Sequence, residues 1–128
     1  MAGIKISATS WTSHNYIMVT AKNEVLLNAL QTCADLCNQC AVACLGEANI
    51  SDLANCIILD QDCALVCTMV TNLVSRQSQF VNRLLVICGD ICEACAAECG
   101  KHAHMEHCRI CAEACANCAE QCSQLIVK

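Results

Sequence analysis

The stretch that decides the fold is CGDICEACAAECGKHAHMEHCRICAEACANCAEQC, residues 88–122. Its cysteines are spaced at intervals of 4, 3 and 4, then after a His-containing break at 3, 4, 3 and 4. At about 100° per residue, these intervals place each set of thiols on one narrow face of an α-helix. The stretch therefore predicts two helices, each lined by cysteines where an ordinary amphipathic helix carries leucines.

Cysteines at helical intervals also occur in the first half of the chain, within residues 33–44 and 56–67. Cysteines span eleven residues in each of three segments, 33–44, 56–67 and 88–99, which is about 16 Å of helix at 1.5 Å per residue. The predicted helices cover about residues 24–45, 51–74, 78–99 and 103–125, with Asn49 or Ser51 as the N-cap of the second. Because the connections are short, sequential helices should be antiparallel. We predict an all-α fold, an up-down-up-down four-helix bundle over residues 23–128, preceded by an irregular N-terminal arm over residues 1–22.

This topology gives the predicted bundle two unlike ends. An antiparallel arrangement brings all the cysteine segments toward one end and collects Leu, Val and Phe at the other. The sequence thus predicts a tube walled by thiols. It should be open near the turns at 46–51 and 100–107, and closed by hydrocarbon at the far end.

Composition restricts the classes of function. The 128 residues include 16 cysteines and carry a net charge of −5, with only seven scattered basic residues. Nucleic acids and anionic membrane surfaces are therefore not expected partners. We also expect no membrane span, because no uninterrupted apolar run is long enough, and no secretory signal, which favours a cytoplasmic location. In a reducing compartment, so many cysteines more often bind metal than form disulfides.

The arrangement of the thiols favours one metal. Soft thiolates select Cu(I), zinc or iron–sulfur clusters, and zinc or cluster sites gather a few cysteines around one point. Long rows suit about one Cu(I) per thiolate, which keeps the buried charge near zero. A zinc or mixed-metal sink remains the alternative, and any single cysteine, such as Cys33 or Cys122, could be ordinary core. The candidate ligands are Cys33, Cys37, Cys40, Cys44, Cys56, Cys63, Cys67, Cys88, Cys92, Cys95, Cys99, Cys108, Cys111, Cys115, Cys118 and Cys122.

The turn GKHAHMEHC, residues 100–108, supplies candidate ligands at the open end. His104 lies one helical turn before Cys108 and should continue its row, and His107 lies near the edge of the same face. Imidazole and thioether are suitable ligands for Cu(I), so we predict His104 and His107 as metal ligands and His102 and Met105 as entry residues. The alternative is a solvated loop.

Asp60 stands four residues after Cys56, where a further cysteine would complete the row. A carboxylate is a hard ligand and suits Cu(I) poorly. We therefore expect Asp60 to accept hydrogen bonds near thiols or backbone; a surface position is the alternative.

Catalysis has little support in the sequence. The chain has no Glu-x-x-His pair, no Ser/His/Asp pattern and no phosphate loop. A thiol redox enzyme would need one exposed cysteine of low pKa beside a resolving partner, and nothing singles one out. We expect a protein that is not an enzyme.

Three segments carry a family resemblance: LDQDCALVC (59–67), CGDICEACAAECGKHAHMEHC (88–108) and CRICAEACANCAEQC (108–122). They resemble the cysteine-rich four-helix-bundle copper storage proteins of bacteria, and the similarity extends over about residues 24–125. The resemblance implies a cytosolic homotetramer that stores or buffers many Cu(I) ions, loaded through a His- or Met-containing end. Copper chaperones or small thiols would then be exchange partners.

Overall fold

The computed structural model describes the backbone of residues 13–125 and the side chains of residues 23–125. The described chain consists of four α-helices, α1 (Ser13–Leu45), α2 (Ala54–Ser75), α3 (Val81–Gly100) and α4 (Glu106–Leu125), and a 3₁₀ helix (Ile50–Leu53) before α2. No strand occurs between residues 13 and 125. Each α-helix packs against its two neighbours in a closed ring, α1 on α2, α2 on α3, α3 on α4 and α4 on α1. The predicted four-helix bundle is confirmed.

Four helix starts differ from the prediction, that of α3 being Val81 instead of about residue 78. The first helix begins at Ser13 instead of about residue 24, so residues 13–22 are helical and not part of an irregular arm. Residues 1–12 of that predicted arm, and residues 126–128, lie outside the described residues. Helix α2 is preceded by the 3₁₀ helix, where Asn49 makes no side-chain capping bond. Helix α4 begins at Glu106, because residues 101–105 form turns closed by bonds such as Met105 N to His102 O at 3.0 Å.

The connection between α2 and α3 is a tight turn built from backbone hydrogen bonds. The N–H of Gln77 donates to Val74 O at 3.0 Å, and the N–H of Ser78 donates to Leu73 O at 3.0 Å. This pair of bonds is the Schellman motif that ends many helices. Gln77 has a φ of 58°, in the left-handed region that usually holds glycine. The turn therefore satisfies the last carbonyl groups of α2 while straining one residue.

The core has the two unlike ends that the sequence predicts. Its largest buried aliphatic side chains at the end remote from the 46–53 and 101–105 turns are Leu26, Leu30, Val70, Val74 and Leu85. Cysteines make up most of the remaining interior, together with Leu53, Asp60 and a few alanines. The hydrocarbon end is smaller than predicted, because Val25 and Phe80 are exposed and do not join it.

One segment has the length and composition of a membrane span. Residues 50–75 contain a window with a mean hydropathy of 1.5, although Asp60 and Asp62 interrupt its apolar residues. The helix is apolar on two opposite faces: Cys63 and Cys67 point into the core, while Leu65 and Met69 are exposed. Within the bundle, this segment serves as a core helix whose inner face is covered by α1 and α3.

Candidate metal centre

Every cysteine of the chain points into the bundle. All sixteen are at most 1% exposed and none forms a disulfide. They come from all four helices, as the 4-3-4 spacing requires when one face of each helix meets the core. The thiols therefore form one continuous buried lining, and the sequence placed each of them on the correct face.

The sulfur atoms contact one another from one end of the lining to the other. Nearest the 46–53 and 101–105 turns, Cys44 Sγ lies 3.9 Å from Cys108 Sγ. Midway, Cys37 Sγ lies 3.5 Å from Cys115 Sγ. Toward the aliphatic end, Cys67 Sγ lies 3.8 Å from Cys88 Sγ. Each of these contacts joins two different helices, so the side chains of the bundle, and not one loop, assemble the site.

The sulfur spacing suits shared metal ions. Two ligands bound at about 2.3 Å to one three-coordinate ion lie about 4 Å apart, whereas a disulfide requires about 2.05 Å. Many of the sulfur–sulfur contacts fall between 3.5 and 4.0 Å. Several groups of four have all their ligand atoms within 4.8 Å of one another, including Cys33, Cys37, Cys63 and Cys115, and Cys37, Cys95, Cys111 and Cys115. The lining can bind ions along its length after only small movements of sulfur.

Asp60 lies inside this lining. Its side chain is 0% exposed, and its Oδ1 accepts hydrogen bonds from the thiols of Cys95 at 3.2 Å, Cys99 at 3.3 Å and Cys111 at 3.3 Å. Burial raises the pKa of Asp60 to about 10. The structure thus excludes the surface alternative and agrees with the hydrogen-bonding role predicted for this residue.

Burial also disfavours thiolates at the end near the turns. Loss of solvent, followed by repulsion from Cys56, raises the pKa of Cys44 to about 11. The same two causes raise the pKa of Cys108. In the metal-free protein, these thiols therefore hold their protons at neutral pH, and a bound cation must displace them.

The histidines of the 101–107 segment occupy unlike positions. The Nδ1 of His107 lies 3.5 Å from Cys40 Sγ, 3.5 Å from Cys108 Sγ and 3.9 Å from Cys44 Sγ. The four residues form a group whose ligand atoms lie within 4.8 Å of one another. His104 is exposed, and its predicted continuation of the Cys108 row fails because α4 begins only at Glu106.

Two further residues of this segment have different surroundings. The side chain of His102 is largely buried, and its Nε2 makes no hydrogen bond. Met105 is partly buried and packs against the core. Of the residues predicted for this end, His107 and Met105 therefore reach the lining.

The end predicted to be open is covered. Cys44 and Cys108 are fully buried there. Leu53, from the 3₁₀ helix, is also fully buried and extends the core beneath the turn. The thiols at this end are therefore shielded from solvent.

One residue of this region was missed by the sequence interpretation. Glu47, in the turn after α1, places its Oε2 3.0 Å from His107 Nε2. A glutamate in a short turn between helices belongs to no helical pattern, so the sequence gives no sign of this contact. Only the packing of the turn against α4 reveals it.

Comparison with known proteins gives consistent matches. The family model described as copper storage protein matches residues 19–127. A cysteine-rich protein of Bacillus subtilis, YhjQ, is described as uncharacterized and is 42% identical over 92 residues, covering 72% of this chain and 84% of that protein.

Two solved structures resemble the bundle closely. The Cu(I)-bound copper storage protein of Bacillus subtilis is 40% identical with a TM-score of 0.79, and the match covers 83% of this chain and 99% of that one. A cytosolic copper storage protein from Streptomyces lividans, solved during copper loading with five coppers, is 38% identical with a TM-score of 0.81. That match covers 85% of this chain and 95% of the other.

Proposed function

This chain belongs to the copper storage protein family, and from that premise we propose that it stores and buffers many Cu(I) ions inside the bundle. The observation that carries the proposal is the continuous lining of sixteen buried, unpaired thiols contributed by four helices. Cysteine is too small to pack such an interior well, and the lost contacts would be costly without another filling. Bound ions fill that space.

The chemistry of the lining favours a monovalent soft ion. Thiolate prefers Cu(I), which accepts two or three sulfur ligands. Each Cu(I) that replaces one thiol proton leaves the net charge of the interior unchanged, which a region of low dielectric requires. We propose the sixteen cysteines as ligands, with about one ion per thiol, and Asp60 as an acceptor of hydrogen bonds from the thiols before copper replaces their protons.

Loading would begin at the end near the 101–107 segment. His107 there faces three thiols, and Met105 packs against the core. We assign His107, and His104 from the exposed turn, as ligands during entry, with His102 and Met105 lining the route. Ions would then move toward the aliphatic end by exchange between thiols that already touch. Replacing His104 with alanine should slow loading while changing capacity little.

A zinc or mixed-metal sink is the second candidate. Groups of four thiols with all sulfurs within 4.8 Å could surround a tetrahedral ion. These groups share members, however, because Cys33 and Cys115 each belong to at least two of them. Separate tetrahedral sites cannot all use the same sulfurs as terminal ligands, so copper remains the better fit.

Anaerobic titration of the reduced, metal-free protein followed by native mass spectrometry tests the proposal. We expect uptake of Cu(I) far beyond four ions, with zinc displaced by copper. Saturation at about four ions or fewer, or zinc that copper cannot displace, would overturn the storage function.

We also propose that the protein is not an enzyme. A redox cysteine must be accessible and of low pKa, and here all sixteen are buried. The metal-free protein should therefore show no thiol-peroxidase turnover. Sustained turnover would contradict this.

We further propose a cytoplasmic location, with copper chaperones or small thiols delivering and removing the metal. Its support is the similarity to a relative described as cytosolic. Fractionation of cells that produce the protein would test the location. Recovery in a secreted or membrane fraction would contradict it.

A homotetramer is the assembly that we propose, as the family resemblance implies. The outer face of α2 carries the exposed side chains Ile58, Leu65 and Met69, and a helix that is apolar on both faces is usually covered on both. Leu65→Ser should weaken association measured by light scattering, whereas Val86→Ser on the exposed face of α3 serves as the matched control. A wild-type protein that stays monomeric at micromolar concentration would refute the assembly.

A further inference from the structure

The ring of His107 links a carboxylate to the thiol lining. Its Nε2 lies 3.0 Å from Glu47 Oε2, and its Nδ1 lies 3.5 Å from the sulfur atoms of Cys40 and Cys108. The side chains of His107 and Glu47 are 23% and 36% exposed, so solvent reaches this pair only in part. The two nitrogens of one ring thus face two chemically different partners.

The carboxylate determines which nitrogen carries the proton. An ionised Glu can only accept hydrogen bonds, and a neutral imidazole has one N–H and one lone pair. At 3.0 Å, Nε2 must therefore donate to Glu47, which leaves the lone pair on Nδ1. That lone pair points to the group formed with Cys40, Cys44 and Cys108.

We propose that Glu47 is a positioning residue for copper entry, which holds His107 as the Nε2–H tautomer so that Nδ1 can bind the incoming ion beside the thiols. This proposal rests on the proposed storage function. Carboxylates that hydrogen-bond a metal-binding histidine fix its tautomer and orientation in many sites, and losing one typically costs about 10- to 100-fold in metal affinity. Because this pair is partly exposed, we expect about tenfold, the lower end of that range.

A second Glu–His pair at the same end provides a matched control. Glu98 Oε2 lies 3.5 Å from His102 Nε2, yet that nitrogen makes no hydrogen bond. Glu98 instead accepts a bond from Lys101 Nζ at 3.0 Å. Glu98→Ala therefore removes a similar charge from the same end without touching the group around His107.

The side chain of Glu47 can be changed without dismantling its turn. The backbone N–H of Glu47 donates to Cys44 O at 3.1 Å, and that of Gly46 donates to Ala43 O at 3.1 Å. Neither bond uses the carboxylate, so Glu47→Ala should fold normally. Glu47→Gln keeps an oxygen that can accept from Nε2 but adds an NH2 group that can donate to it, so it should behave as a partial rescue.

The first experiment reads the tautomer without metal. Nitrogen-15 NMR of the reduced, metal-free protein at mildly alkaline pH, where imidazole is neutral, distinguishes protonated from unprotonated ring nitrogens. We expect His107 to be protonated at Nε2 in the wild type and less completely in Glu47→Gln, whose amide can both accept from and donate to that nitrogen. Glu47→Ala should show a mixture of tautomers. A wild-type His107 protonated at Nδ1, or an unchanged tautomer in Glu47→Ala, would overturn the proposal.

The second experiment measures copper uptake. Rapid mixing of each metal-free variant with a Cu(I) chelate complex should show the first equivalents entering Glu47→Ala about tenfold more slowly or more weakly than the wild type. Glu98→Ala should load like the wild type, Glu47→Gln should load at an intermediate rate, and total capacity should not change. Loading of Glu47→Ala at the wild-type rate and affinity would overturn the positioning role even if its tautomer shifts.

The two experiments separate two kinds of failure. A wild type that saturates at about four Cu(I) or fewer would refute the storage function. Glu47 could still be shown to govern the tautomer, because that measurement involves no copper. If copper capacity is normal and Glu47→Ala matches the wild type in both the tautomer and the uptake measurements, only the positioning role is refuted.

Discussion

Replacing Asp60 with asparagine should remove a pH-dependent destabilisation of the metal-free protein. Burial raises the pKa of this carboxyl from 3.8 to about 10. In the unfolded chain the carboxyl ionises above its ordinary pKa, whereas in the bundle it keeps its proton. Between about pH 4 and pH 10 the native state therefore binds one more proton than the unfolded state, and stability falls as pH rises.

The magnitude follows from one proton. Each pH unit within this window costs about 1.36 kcal/mol, so the penalty reaches about 4 kcal/mol at pH 7. That is a large share of the 5–15 kcal/mol by which ordinary domains are stable. Asparagine has nearly the same shape, keeps an oxygen acceptor for the thiols and does not titrate. The stability of Asp60→Asn relative to wild type should therefore increase by about 4 kcal/mol between pH 5 and pH 8.

Urea unfolding of the reduced, metal-free proteins across that pH range is the assay. Asp62→Asn, on the exposed side of the same helix, controls for the change in net charge. Parallel curves for wild type and Asp60→Asn would refute the buried, protonated state of Asp60.

Three further predictions concern stability. Gln77→Gly should stabilise the protein by about 1 kcal/mol, because a left-handed φ strains any residue with a Cβ. The same change at Gln61, inside α2, should destabilise it by about 1 kcal/mol. Calorimetry in which both variants changed stability in the same direction would contradict this. Leu30→Ala should lower the free energy of unfolding in urea by about 2–5 kcal/mol, because Leu30 is fully buried at the aliphatic end. Copper capacity should not change; a loss of capacity would show that this end also binds metal. Arg109→Ala should change stability by less than about 0.5 kcal/mol, because the 3.1 Å ion pair between Arg109 and Glu113 is exposed. A larger loss of stability that disappears when salt is added would reveal a stronger charge network than the structure contains.

The sequence was sufficient to predict the bundle and the inward direction of the thiols. Intervals of 3 and 4 residues mark one face of a helix whatever surrounds it, so the rows could be assigned helix by helix. The short connections then fixed the antiparallel order and, with it, the separation of thiols from hydrocarbon. The start of α1 was missed because the Ser-, Thr- and Asn-rich residues before position 24 have weak helix propensity, and tertiary context overrides such preferences.

The residues in turns were predicted least well. His104 was placed on the Cys108 row by extending helical periodicity backward through the 101–105 segment, which instead forms turns. His107, in the first turn of α4, is the histidine that faces the thiols. Glu47 gave no sequence signal, since its contact with His107 crosses from one turn to another helix.

The sequence by itself thus determined which face of each helix carries the thiols and which end of the bundle holds them. Only the tertiary structure decided which thiols meet across helices, such as Cys37 with Cys115, and that Asp60 accepts bonds from three of them. The physical reason is that helical periodicity fixes rotation about a helix's own axis. The axial register between helices, and the conformation of the turns that join them, depend on packing between segments distant in the chain.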